Sequence, residues 1–274
     1  MKRAILLLAL AGAVSARAQT GPVSLLLRLK AGQTQSYRIT TDTTLKTTLP
    51  NGEAKSTNNH TVATFDLSVE SVNPDGSYAV RVKRTSHQLT VDGETPDNVD
   101  VGEAEATAKL GTDGRYSGLS AASKPKPDGP SGASPEDFLS TVFDDEVGVP
   151  TRAVAVGERW KDQVKSPVDT DQNKVTVNSR LMAVDDVDGK RVARVLRVIA
   201  EPLHATGPDK NVSSEGVLEA GSFTSNDLGT GLTQDERDVL HLQMDMTATS
   251  PAGQTVKIGS DAHIRIHIEA IPAG

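Results

Sequence analysis

The sequence predicts a mainly β protein: a duplicated antiparallel meander forming a curved sheet, half-barrel or sandwich, with one short helix packed on it. Two observations support this fold class. Apolar and polar side chains alternate with a period of two along several segments, and Gly- and Pro-containing turns separate these segments. Aromatic residues make up only 3% of the 274 residues, so aliphatic side chains must fill most of the core.

The first meander is predicted over residues 22–120. Residues 65–70 alternate apolar and polar side chains, and the alternation resumes at residue 78 after the turn Asn73-Pro74-Asp75-Gly76. Proline presets φ and glycine accepts positive φ, so this segment is typical of a β-hairpin. A strand is predicted upstream over residues 34–49, preceded by a leucine-rich strand over residues 25–29.

The strand that begins at residue 78 carries a polar stripe. Arg81, Lys83, Thr85 and His87 alternate with its apolar residues. Such a stripe is typical of the solvated face of an antiparallel sheet.

A linker and the one helix are predicted over residues 121–150. The segment 124–132 is rich in proline and glycine and has no periodicity, which indicates a linker or long surface loop. Ser134 is a good N-cap, and Pro135 favours the first helical position. Phe138 and Val142 follow at helical spacing, so the helix is predicted over residues 135–147.

The second meander is predicted over residues 151–272. Its start, residues 156–160, resembles residues 31–37, with Trp160 and Tyr37 on the same face of their strands. Residues 192–199 have helical spacing but many β-branched side chains and a preceding Asp-Gly turn, so a strand is predicted there. Two further strands of clear alternation flank a turn at residues 250–253.

The N-terminus has the three-part pattern of a secretory signal peptide. A basic start is followed by an apolar run from residue 4 to 14, and Ala16-Arg17-Ala18 provides a small-residue cleavage site. The run is shorter than the ~20 residues that span a bilayer. The sequence therefore predicts signal peptide 1–18, cleavage after Ala18, secretion or export to the periplasm, and no transmembrane span afterwards.

Composition and motifs argue against several chemistries. The absence of cysteine excludes disulfides and thiolate sites, and a net charge of -7 argues against binding to nucleic acid. Neither a nucleophile elbow nor a His-Glu-x-x-His motif occurs. His263 and His267 share a strand face about 13 Å apart, too far to bind one ion. The sequence therefore predicts no catalytic residues, no metal and no cofactor.

A resemblance adds to this interpretation. The chain resembles a class of uncharacterised exported bacterial proteins in three segments. They are the leucine-rich segment 25–29 with Ala31-Gly32, the motif Val156-Gly157-Glu158-Arg159-Trp160, and the closing strand to Ile271. At the level of fold alone, the chain also resembles the open half-barrels of envelope lipoprotein carriers. That resemblance implies a concave apolar face able to hold an acyl chain or a hydrophobic peptide.

The leading hypothesis is a non-catalytic exported protein whose curved sheet binds a lipid, a hydrophobic peptide or an envelope partner. Its expected binding residues are the aliphatic side chains of the last two strands: Leu240, Leu242, Met244, Met246, Ile264 and Ile266. Methionine side chains are flexible and are therefore common on surfaces that bind varied apolar ligands. The alternative is a structural or interaction module with no small ligand. A hydrolase without a recognisable motif is the third interpretation.

Overall fold

The computed structural model describes residues 21–96, 104–121, 134–143, 146–165, 174–206, 212–249 and 255–272. The predicted signal peptide and most of the predicted linker lie outside these ranges. In the described part of the chain the elements are β1 (Thr34–Thr48), β2 (Ala54–Val72), β3 (Tyr78–Val91), β4 (Ala104–Leu110), β5 (Tyr116–Ala121), α1 (Pro135–Val142), β6 (Arg159–Lys165), β7 (Lys174–Val187), β8 (Lys190–Thr206), β9 (Val212–Asp227), β10 (Thr233–Thr249) and β11 (Thr255–Ile271).

All eleven described strands belong to one antiparallel sheet, which confirms the predicted fold class. The strand order is β5-β4-β3-β2-β1-β11-β10-β9-β8-β7-β6. The two halves of the chain join where β1 pairs with β11, with Ile39 opposite Ile268. β5 and β6 remain at the two edges, so the sheet is not closed into a barrel.

The segment predicted to be a leucine-rich strand instead crosses one end of the sheet. Residues 21–33, the N-terminal strap, bury Leu25, Leu27 and Leu29. The Leu27 N–H donates to Thr112 O at 2.7 Å, and the Arg28 N–H donates to Thr230 O at 2.8 Å. The alternation was therefore interpreted correctly as extended backbone, but the prediction of a strand in the meander was wrong. The turns that follow β4 and β9 thus provide two of its hydrogen-bond partners, and Val69 and Val154 provide others.

At the end of the sheet that the strap crosses, which we call the closed end, the sheet curves so far that its two edges approach each other. Arg115, just before β5, forms an ion pair with Asp162 of β6, with the Nη2 and Oδ1 atoms 3.2 Å apart. The Val149 N–H also donates to Asp113 O at 2.9 Å. The sheet is therefore curved, with an inner concave face, and the strap covers this end of it.

Helix α1 lies on the inner face and begins at the predicted residue. Ser134 and Asp137 form a reciprocal capping box, and Pro135 is the first helical residue. The Phe138 ring lies 4.9 Å from Phe65 and 5.4 Å from Tyr37 between ring centroids. The helix ends at Val142, five residues before the predicted end, because the next residue is already extended.

The polar stripe predicted on β3 is interrupted. Pairing with β2 shifts register between Thr64 and Phe65, where a β-bulge reverses the alternation. His87 is consequently buried, while Thr85 stays exposed. The prediction that His87 faces solvent was wrong, because an unpaired extra residue moves every later side chain to the other face.

Other predictions for the second half are confirmed. Residues 192–199 lie within β8, so the β-branched composition outweighed the helical spacing. Gly32 and Gly157 precede the matching aromatic residues and both have positive φ, 78° and 90°. Tyr37 and Trp160 both pack against buried clusters.

In the described part of the chain, no helix has the length and apolar character needed to cross a bilayer.

Candidate ligand-binding site

A cavity of about 320 Å³ lies on the inner face, between α1 and strands β7 to β11. We call it the inner trough. Its apolar wall comes from four strands and includes Val177, Ile199, Leu240, Ile264 and Ile266. Ligand pockets commonly measure ~300–1,000 Å³, so the inner trough is large enough for a small ligand or part of a longer one.

The six expected binding residues all belong to the inner face, on paired strands. Leu240 lies directly opposite Ile264 in the β10–β11 register. Leu240, Ile264 and Ile266 line the inner trough itself. Leu242 packs against the buried residues Val175 and Leu218, and this completes the apolar floor next to the cavity.

Met244 and Met246 extend the same apolar row toward the end of the sheet that the strap does not cover. Both are partly buried. With a rise of about 3.4 Å per residue, the row from Leu240 to Met246 is about 20 Å long. The inner trough thus continues into an apolar path along β10.

The other end of the trough is polar, a feature that the sequence reasoning missed. Glu236, on the same face of β10, is only 4% exposed. The Ser222 hydroxyl donates to its Oε1 at 2.7 Å, and the Thr224 hydroxyl donates to the same atom at 3.1 Å. These bonds compensate in part for burying the carboxylate.

Asp238 lies between Glu236 and the apolar row. Burial, together with the negative charge of Glu236, raises the pKa of Asp238 to about 7. The positive charge of Arg197 acts in the opposite direction. Burial and Glu236 also raise the pKa of the Tyr37 hydroxyl. The polar end therefore holds one of its carboxyl groups readily in the neutral form.

Two polar atoms at this end lack a hydrogen-bond partner in the described part of the chain. Asp238 Oδ1 and Arg197 Nε are both buried and unsatisfied, and both residues line the inner trough. An unsatisfied buried polar atom costs ~1–3 kcal/mol. A ligand group that accepts from Arg197 and interacts with Asp238 would recover part of this cost.

A sequence signal for the polar end did exist. Glu236 and Asp238 have the same parity as the alternating residues 240–246, so an extended β10 places them on the same face. Arg197 has no comparable signal, because its position beside Asp238 depends on the pairing of β8, β9 and β10.

The acidic turn at residues 185–189 serves the β7–β8 hairpin. Asp188 and Gly189 adopt positive φ there, 48° and 77°. Asp185 pairs with Arg194 of β8, with Oδ2 and Nε 2.6 Å apart.

Asp238→Asn is expected to change how stability depends on pH. The folded wild type retains a proton that the unfolded chain releases near pH 4, so wild-type stability falls as pH rises from about 4 to 7. The variant has no proton to lose. We expect its stability relative to wild type to rise by about 1–3 kcal/mol between pH 5 and pH 8, measured by urea unfolding.

The matched control is Asp245→Asn, on the outer face of the same strand, where the side chain is exposed. It should leave the difference between pH 5 and pH 8 as in wild type. An Asp238→Asn variant that shows the wild-type pH dependence would contradict the assignment of this titration to Asp238.

Comparison with known proteins does not assign the chain to a family. Neither a scan against models of protein families nor a search of curated proteins gives a match. The geometry of the inner trough is therefore the main indication of function.

Proposed function

We propose that this is an exported, non-catalytic protein that binds the chain of a single-chain amphiphile in the inner trough. One observation carries the proposal: an apolar cavity of about 320 Å³ has two unsatisfied buried polar atoms, Asp238 Oδ1 and Arg197 Nε, among its lining residues. An apolar wall with a few convergent polar groups is typical of ligand sites.

An acyl chain suits this surface better than a hydrophobic peptide does. The floor of the trough is the face of a sheet, and the backbone groups of β9, β10 and β11 are used in pairing with one another. A buried peptide needs partners for its own N–H and C=O groups, and such a floor offers few. An acyl chain has no such requirement.

The head group of the amphiphile is expected to be neutral and to carry a hydroxyl or amide. Arg197 contributes a positive charge, Glu236 a negative charge, and Asp238 titrates close to neutral pH. The polar end is thus close to neutral or weakly negative. A hydroxyl or amide can accept from Arg197 and also donate to Asp238, whereas an anionic head group would face both carboxyl groups.

Export is part of the same proposal. The signal-peptide pattern at residues 1–18 and the fold-level resemblance to envelope lipoprotein carriers both favour a protein that handles lipids outside the cytoplasm. N-terminal sequencing of protein purified from the host envelope should give a mature chain that begins at Gln19. An intact Met1 on the envelope protein would contradict it.

The binding experiment compares three amphiphiles that share a dodecyl chain: monododecanoyl glycerol, dodecanoate and dodecylamine. Each competes with an environment-sensitive fluorescent lipid probe for the purified protein. We expect the glycerol ester to displace the probe most strongly. Leu240→Asp should weaken its binding at least about tenfold, because the substitution places an unpaired charge in the apolar wall.

Val217→Asp is the matched control, since Val217 is 45% exposed on the outer face of β9. It should bind the glycerol ester as wild type does. Equal losses in both variants, or no displacement of the probe from wild type by any of the three compounds, would overturn the proposal and favour a structural or interaction module.

A further inference from the structure

The outer face carries a second cluster of polar side chains, on the side of the sheet opposite the inner trough. Its members are His241 of β10 with Asp261 and His263 of β11, and we call them the outer histidine cluster. One ligand atom from each residue lies within 4.8 Å of the others. Glu219 of β9 adjoins the cluster, with its Oε2 3.6 Å from His241 Nδ1.

The pairing of three strands brings these residues together. His241 lies directly opposite His263 in the β10–β11 register. Glu219 lies directly opposite His241 in the β9–β10 register. Asp261 is two residues from His263 on β11 and therefore projects from the same face. The cluster is thus built on regular strands rather than on loops.

The distances within the cluster approach those of a metal site. Asp261 Oδ1 lies 3.0 Å from His241 Nε2 and 3.2 Å from His263 Nε2. A tetrahedral zinc ion with bonds of about 2.0–2.1 Å holds neighbouring ligand atoms about 3.3 Å apart. Two of the three distances between the ligand atoms are therefore already close to those of a zinc site.

The two imidazole rings stack in parallel, with centroids 4.3 Å apart and planes inclined by 5°. Their lone pairs consequently run side by side, and one ring must tilt for both Nε2 atoms to converge on one ion. His263 can tilt, because its side chain is 56% exposed. Glu219 can accept from His241 Nδ1 and so keep Nε2 available as the ligand, as carboxylates do around many metal-bound histidines.

We propose that the outer histidine cluster binds a divalent transition metal ion of the zinc class through His241 Nε2, His263 Nε2 and Asp261. Imidazole favours zinc, nickel and copper over calcium and magnesium, which prefer oxygen ligands. Asp261 and Glu219 supply negative charge next to the two histidines. The fourth position faces solvent and would hold water or a partner's side chain.

This inference departs from the prediction made from sequence alone, which found no metal site. His263 and His267, the pair considered there, lie along one strand and are too far apart to bind one ion. The partner of His263 is instead its cross-strand neighbour His241, and the two lie symmetrically about residue 252, within the predicted turn.

The test is a titration of the metal-free protein with Zn²⁺. Calorimetry measures the binding, and NMR records the signals of the histidine ring protons. We expect about one equivalent to bind and the ring signals of His241 and His263 to shift. His263→Ala should lower the affinity at least about tenfold, and Glu219→Gln should lower it by a similar factor through the His241 ring.

His267→Gln is the matched control. His267 is also on the outer face of β11 and pairs with Asp235, with Nε2 and Oδ2 2.8 Å apart. The control should retain wild-type affinity. The proposal is overturned if His263→Ala retains wild-type affinity, if His267→Gln loses as much affinity as His263→Ala, or if Zn²⁺ shifts all histidine signals equally. Circular dichroism confirms that each variant is folded.

Discussion

Replacing Phe138 with alanine is expected to lower the free energy of unfolding by about 3–5 kcal/mol. The Phe138 ring is fully buried and contacts the rings of Tyr37 and Phe65. Its loss removes one of the two fully buried side chains that hold α1 on the inner face, and the sheet cannot collapse to fill the space because its strands are fixed by pairing. Urea denaturation at pH 7 measures the effect.

The same variant should also bind amphiphiles more weakly. Ser140 and Thr141 of α1 line the inner trough, so a helix that detaches opens the cavity to water.

Ser140→Ala, at an exposed position of the same helix, is the control for stability and should change the unfolding free energy by less than about 1 kcal/mol. A loss below about 1 kcal/mol for Phe138→Ala would show that α1 does not contribute to the core as described.

Gly231→Ala is expected to have the second large effect, a loss of about 3 kcal/mol or more. Gly231 has φ +80°, and a Cβ atom there would lie 2.8 Å from both Leu26 O and Leu27 Cα. These are backbone atoms of the N-terminal strap, which cannot move without breaking the hydrogen bond from the Arg28 N–H to Thr230 O. The substitution should therefore release the strap from the closed end.

Gly32→Ala separates the two causes of this effect. Gly32 also has positive φ, +78°, but no heavy atom lies within 4 Å of a Cβ built there. It should lose only the cost of the left-handed conformation, about 1–2 kcal/mol. Hydrogen exchange should show faster exchange at Leu27 and Arg28 in Gly231→Ala but not in Gly32→Ala. Equal losses in the two variants would mean that the strap does not restrict this turn.

Much of the local structure was predictable because short-range chemistry determines it. The alternation around Phe65 and Leu240 identified strands whose inner faces are buried or half-buried. The Pro-Asp-Gly turn before β3 and the Ser134-Pro135 start of α1 are formed as predicted. Each of these depends on residues within a few positions of one another.

Features that depend on distant residues were not predictable in this way. The bulge on β3 buries His87, and the strap takes its partners from turns more than eighty residues away. The polar end of the inner trough needs Arg197 beside Asp238. The periodicity of a single segment does not indicate any of these contacts.

The sequence by itself determined which residues form strands and which side chains share a face, because a period of two follows from the geometry of one extended chain. Only the tertiary structure decided that β1 pairs with β11, that the sheet curves without closing into a barrel, and that His241 meets His263. Those outcomes depend on strand register and on packing across the sheet, which are set by contacts between segments far apart in the chain.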